Sequence, residues 1–224
     1  MADKPRVKAP KQRATTSHDP ARNRRLALVA AGAGLVLGLV AVGALLGFVG
    51  GGDVDETEAR ATIKAAGCTL KDFKATSRQH LSDPAARPKQ WTSIPPTSGP
   101  HYVTPAVYGY YLDPVELARI VHGLEHGGAY MLYGPKTPPD TADRLREIYD
   151  RDPRGLVVAP LPGLGNKIAL GAWTSPAPGS GSLGIGHLVT CTGVDEDAFR
   201  SFLGAFRGRG PENDNLDLLQ PGGT

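Results

Sequence analysis

From Leu26 to Val49 the chain carries no charged residue and no proline. Those twenty-four residues make about 36 Å of helix at 1.5 Å per residue, enough to cross a hydrocarbon core about 30 Å thick. The preceding stretch, residues 1–25, is polar and holds eight Lys/Arg against Asp3 and Asp19. Positive charge is retained in the cytoplasm, so everything after the run is expected outside the cell membrane. The chain therefore reads as a single-pass protein with a cytoplasmic N-terminus, a disordered basic tail over 1–25 and a transmembrane helix over 26–49. The competing reading is a cleaved signal peptide, whose apolar core is roughly 7–15 residues; the run here is longer.

From Asp53 onward there are 17 Lys/Arg and 20 Asp/Glu, so the exported part is slightly acidic and the basicity of the whole chain resides in the tail. Nothing in that balance suggests a nucleic-acid surface, and no nucleic-acid partner is expected. The partner expected from sequence is the membrane itself, through residues 26–49. The exported part is long enough for one domain with a proper core. Its two cysteines, Cys68 and Cys191, suit one disulfide in an oxidising compartment; the alternative is two buried thiols.

Periodicity assigns the exported part to the α+β class, as one domain over 53–207 followed by a flexible Gly/Pro-rich, acidic tail over 208–224. Residues 53–66 read as a short stalk helix. Prolines recur from Asp83 to Pro105, which predicts irregular, extended backbone. Asp113-Pro114-Val115-Glu116 reads as a helix start, Leu117, Ile120, Val121 and Leu124 as its apolar stripe, and Gly127-Gly128 as its end. Strands are expected at 129–133, 156–159, 167–174 and 187–192, and helices at 141–149 and 195–206. Helices and strands mix without strict βαβ alternation.

Metal-capable side chains are densest in His122-Gly123-Leu124-Glu125-His126, with Pro95-Pro96-Thr97-Ser98-Gly99-Pro100-His101 just upstream. Residues four apart share a helical face, so His122 and His126 have the spacing of a chelating pair, with Glu125 beside them. At 100° per residue both point more than 100° away from the apolar stripe, toward solvent or a second layer. The proline-rich segment with His101 can form that layer, and His80 is a further candidate. The structural alternative is a helix-end role for His126, bonding the last carbonyls. His187 reads as structural, and His18 falls in the basic tail. Tyr102, Tyr108, Tyr110 and Tyr111 read as a half-buried wall of the core. His-x-x-Glu-His is also the inverted zinc-peptidase motif. Here it runs directly into Gly-Gly, and only Glu196 offers itself as a downstream carboxylate. Ser98 is not in a nucleophile elbow, and no phosphate loop, dinucleotide fingerprint or Cys-x-x-Cys is present.

Pro95-Pro96-Thr97-Ser98-Gly99-Pro100-His101, then Val121-His122-Gly123-Leu124-Glu125-His126-Gly127-Gly128 and a hydrophobic strand ending in Tyr133, resemble the signature of a bacterial family, domain of unknown function family 3105. Val158-Ala159-Pro160 and Ala169-Leu170-Gly171-Ala172-Trp173 are similar to it as well. The likeness spans roughly residues 66–207; Gly123 stands where the family pattern often has Asn. The resemblance implies an exported, frequently membrane-anchored domain with no assigned activity. It places His101, His122, Glu125 and His126 on signature positions, and His80 resembles another upstream histidine of the family.

Three functions follow as expectations. The first is a cell-envelope metal-binding domain using His101, His122 and His126, completed by His80 or Glu125, with zinc or copper(II) as the ions imidazole suits best. A Met-rich copper(I) site is excluded because Met131 is the only methionine after the apolar run. The second is a metal-assisted hydrolase with Glu125 as base to a metal-bound water. The third is a non-catalytic envelope scaffold or interaction module.

Overall fold

The computed structural model describes residues 54–82, 88, 91–177, 180–212 and 214–223. The basic tail and the run expected to span a membrane lie outside the described residues. Among the described residues no helix is long and apolar enough to cross a membrane.

The fold is α+β. Helix α1 (Glu56–Ala65) opens it, capped by Asp55, whose carboxylate accepts the Thr57 and Glu58 N–H groups. Four strands follow: β1 (Thr69–Lys74), β2 (His80–Leu81), β3 (His101–Tyr102) and β4 (Gly109–Tyr110). Then come α2 (Leu117–Glu125), β5 (Ala129–Tyr133), α3 (Thr141–Arg151), β6 (Leu156–Pro160), β7 (Ile168–Thr174), β8 (Ile185–Cys191) and α4 (Glu196–Phe206). Six strands form one mixed sheet in the order β1-β8-β7-β5-β6-β4, while β2 and β3 pair with each other as a separate parallel ribbon.

Alternation along the central strands builds two cores. Met131, Leu156, Val158, Leu170 and Val189 face α1, α3 and α4, together with Phe199, Phe202 and Phe206. Tyr130, Leu132, Val157, Ala159, Ala169 and Trp173 face the other way, against Ile120, Val121 and Leu124 of α2. Cys68 and Cys191 are joined in a disulfide. The register explains the pairing: Thr69 lies opposite Thr190, so one step further sets residue 68 opposite 191.

Two expectations are corrected. Helix α2 begins at Leu117 rather than at the Asp113-Pro114 cap, and Glu116 at its N-cap makes no side-chain capping bond. Residues 113–116 carry no regular structure, and Val115 packs against the second core, so tertiary contact overrides the local capping signal. The C-terminal segment from 208 is docked rather than free. Gly208 N–H bonds the Gly127 carbonyl at 2.7 Å, Gly155 N–H bonds the Leu219 carbonyl, and Leu219 is buried. Its backbone finds partners along α2 and β6 that composition alone does not reveal.

The end of α2 is built as read. Gly127 adopts φ 103°, its N–H bonds Leu124 O at 3.0 Å, and Gly128 N–H bonds Gly123 O at 2.8 Å. This is a Schellman closure, which needs the left-handed residue that glycine supplies. It turns the chain straight into β5 and holds the last turn of α2, with His122 and Glu125, against the rest of the domain.

Candidate metal centre

Three short elements deliver the candidate ligands. The β2/β3 register sets His80 directly beside His101, and His101 N–H bonds Gln79 O at 3.0 Å. The last turn of α2 brings His122 and Glu125, three residues apart and therefore on one face. The rings of His80, His101 and His122 lie 4.5–4.9 Å apart, centroid to centroid. One donor atom from each of His80, His101, His122 and Glu125 falls within 4.8 Å of all the others.

The loop before His101 is buried from Pro95 through Tyr102. Burying irregular backbone strands N–H groups, but prolines at 95, 96 and 100 have none to strand. Ser93 Oγ takes the Thr97 N–H at 3.1 Å, and Trp91 Nε1 donates to Pro100 O at 3.0 Å. Thus the proline-rich segment forms the expected second layer and fixes His101 from below, with the His101 ring edge-on to Trp173 at 6.2 Å.

Backbone carbonyls set the tautomers. His101 Nδ1 lies 2.8 Å from Gly99 O and His122 Nδ1 lies 2.7 Å from Tyr102 O. A carbonyl only accepts, so each Nδ1 carries the proton. In a neutral ring Nε2 is then a lone pair, the arrangement typical of metal-ligating histidines. Glu125 is fully buried; Arg78 Nε donates to its Oε1, while its Oε2 lies 2.9 Å from His101 Nε2 and 3.6 Å from His80 Nε2. By distance the His101–Glu125 approach is an ion pair, yet it is not aligned for a hydrogen bond. Both Nε2 and Oε2 are buried without a hydrogen-bond partner.

Electrostatics keep two of these groups ready to bind a cation. Burial raises the Glu125 pKa, but the neighbouring His101 and Arg78 outweigh it and leave the carboxyl at about 2. His122 is pulled down to about 4, chiefly by burial; the bond to Tyr102 O opposes this, and His101, His126 and His80 add to it. The unfolded chain protonates such a ring near pH 6.5, the folded chain only near 4. The stability His122 contributes is therefore whole above about pH 6.5 and is lost as pH falls toward 4, up to roughly 3 kcal/mol. Denaturant melts of ion-free protein between pH 7 and 4.5 are expected to show this loss. His122→Asn, which keeps a donor for Tyr102 O, is expected to make the slope shallower; an unchanged slope would assign the pH dependence to other groups.

A family model described as "Protein of unknown function (DUF3105)" matches residues 84–217. The chain belongs to the DUF3105 family. No curated protein and no solved structure matches it. The DUF3105 match contains His101, His122 and Glu125 and begins after Arg78 and His80.

Of the residues singled out from sequence, the DUF3105 domain brings His80, His101, His122 and Glu125 together. His126 joins a neighbouring group instead: its ring stacks on His122 at 4.8 Å, and its Nδ1 lies 2.6 Å from Asp214 Oδ2 and 3.1 Å from Glu212 Oε2. Glu196, needed for the inverted-peptidase motif, instead pairs with Arg151 at the start of α4 and is in neither group. His187 is structural, held between Asp72 Oδ1 and Thr174 Oγ1, each at 2.8 Å. Of the four tyrosines expected to form a half-buried wall, Tyr110 and Tyr111 are half-buried, whereas Tyr102 and Tyr108 are buried outright. Sequence reasoning missed Arg78, Glu212 and Asp214. Arg78 links Glu125 to Glu212, 3.0 Å from its Nη2. No local spacing marks these residues, because their partners lie 47 to 134 positions away.

Proposed function

We propose that this DUF3105 domain is a metal-binding module that holds zinc or copper(II) through His80, His101, His122 and Glu125. One observation carries the reading: the buried, unpartnered His101 Nε2 and Glu125 Oε2 face each other at 2.9 Å. With Nδ1 donating to Gly99, a neutral His101 turns a lone pair toward a carboxylate oxygen; a proton on Nε2 or a metal ion relieves that repulsion, and the convergence of His80 and His122 on the same group favours the ion. Donors about 2.0–2.1 Å from a tetrahedral zinc sit about 3.3 Å from each other. The 2.9 and 3.6 Å separations at Glu125 Oε2 bracket that value. The donor set is imidazole and carboxylate, without thiolate or thioether, which suits zinc or copper(II) rather than a soft ion.

Glu125 serves this site better as ligand than as base. Its fully buried carboxylate is bonded to the Arg78 guanidinium, which favours the ionised form and makes it a poor proton acceptor at neutral pH. The half-exposed His80 is the side from which an ion enters. The envelope location belongs to the same proposal. It is supported by the apolar run over 26–49 and by a disulfide of the kind oxidising compartments preserve.

The test is elemental analysis of the full-length chain, purified without a histidine tag and dialysed against zinc or copper(II), followed by thermal unfolding with and without chelator. Bound metal and a chelator-induced drop of about 5–10 °C are expected, for an ion held at a hundredfold excess over its dissociation constant. No bound metal together with chelator-insensitive melting would replace this reading by the scaffold one.

A further inference from the structure

The two oxygens of Glu125 are treated differently by their surroundings. Arg78 donates from Nε to Oε1, and from Nη2 to Oε1 of Glu212 at 3.0 Å. Oε2 is left buried without a hydrogen-bond partner, 2.9 Å from His101 Nε2 and 3.6 Å from His80 Nε2. A carboxylate with both oxygens free can close on an ion with both. One engaged at Oε1 presents a single donor.

The guanidinium that makes this distinction is itself held. Arg78 lies two positions before His80, whose strand pairs with that of His101. Glu212 N–H bonds Glu125 O at 3.2 Å, so the C-terminal strap carrying Glu212 is fastened to the residue that Arg78 orients. Gly208 N–H bonds Gly127 O at 2.7 Å, and a Cβ at 210 would lie 2.7 Å from Gly127 Cα. Contacts therefore close a ring, from Glu125 to Arg78, from Arg78 to Glu212, and from the Glu212 backbone to Glu125. The planar fork of a guanidinium reaches two carboxylates at fixed angles, which an ammonium does not reproduce.

The imidazoles supply the rest of the geometry. The ring centroids of His80, His101 and His122 are 4.5, 4.8 and 4.9 Å apart, a nearly equilateral triangle. Three corners of a square would have one separation about 1.4 times the other two, as in a tetragonal copper(II) site. A triangle of imidazoles completed by one carboxylate oxygen is the tetrahedral arrangement that zinc takes.

We propose that Arg78, braced by Glu212, is a positioning residue that confines Glu125 to one oxygen and so makes the site four-coordinate. Arg78 acts through Glu125 and is not itself a ligand. This inference rests on the metal-binding reading of the site, and the experiment separates the two.

The full-length chain is loaded with cobalt(II), whose four-coordinate form absorbs visible light far more strongly than its five- or six-coordinate forms. Zinc affinity is measured alongside by competition. The parent is expected to show the strong bands. Arg78→Lys keeps a positive charge beside Glu125 but loses the fork. It is expected to lose most of the band intensity, as Glu125 closes on the ion with both oxygens, and to bind zinc about 10- to 100-fold more weakly. Glu212→Gln, at a side chain 31% exposed, is expected to change the bands in the same direction by less. His126→Ala, which removes the other ring that Glu212 meets, is expected to leave them unchanged. Arg78→Lys with the parent's bands overturns the inference and reduces Arg78 to a counter-charge for a buried carboxylate. Weak bands in a parent that binds cobalt(II) overturn it too and leave the metal site standing. A parent that binds neither cobalt(II) nor zinc overturns both readings. Circular dichroism of each variant confirms folding, and Glu212→Ala repeats the measurement should Arg78→Lys unfold.

Discussion

His101→Ala is expected to weaken metal binding at the proposed site by about a hundredfold to a thousandfold. A protein zinc site with four ligands is worth roughly 10–16 kcal/mol, so one ligand carries about 3–4 kcal/mol, and each 1.4 kcal/mol is a factor of ten. His101 should sit at the upper end because it is fully buried and its tautomer is fixed by Gly99 O. His80→Ala is expected to cost less, since its ring is partly exposed and water can replace it. His126→Ala is expected to spare this ion. Competition titration against a chromophoric chelator gives all three affinities. Equal, small losses at the three positions would mean nonspecific surface binding and would sink the assignment. Because removing His101 also leaves Glu125 Oε2 without its neighbour, His101→Gln serves as the volume-matched control for simple destabilisation.

Much of the scaffold was legible from periodicity. β5 has the bounds the sequence suggests, and β6, β7, β8, α3 and α4 differ only by a few terminal residues. The strands among them are apolar runs buried on both faces and the helices bury one face, so their patterns report tertiary structure directly. β1 escaped notice because Thr-Leu-Lys-Asp-Phe-Lys leaves most of its side chains exposed and buries none fully. β2, β3 and β4 are two residues each, too short to show any period. The same physics limits what was legible of the site. His122 and Glu125 announce themselves by helical spacing, whereas His80 reaches His101 through a strand register that no local pattern encodes. The His122–His126 spacing suggested one shared ion. The docked C-terminal strap instead engages His126 with Glu212 and Asp214, a pairing 88 residues long for Asp214. A Gly/Pro-rich acidic tail reads as loose because what fixes it, the backbone of Glu125, Gly127 and Gly155 and the side chains of Arg78 and His126, is distant in sequence.

The second large effect is expected at the disulfide, and its logic is independent of the ion. Cys68 and Cys191 are 123 positions apart, so the crosslink closes most of the domain into one loop. In the chain-entropy model that restriction of the unfolded state is worth about 4–5 kcal/mol. Cys68→Ser/Cys191→Ser is expected to melt roughly 10–15 °C below the parent by calorimetry, and the parent in strong reductant should approach the same value. A shift of only a degree or two in both experiments would mean that the two sulfurs are not joined in the folded protein. Both cysteines sit in the core facing α1, α3 and α4, whereas His101 and α2 belong to the opposite face of the sheet. Distant sites of this kind add. The chelator-induced shift should therefore be the same in the serine variant as in the parent. A chelator effect that vanished with the disulfide would show that the crosslink, through β1 and β8, holds the ligand geometry itself.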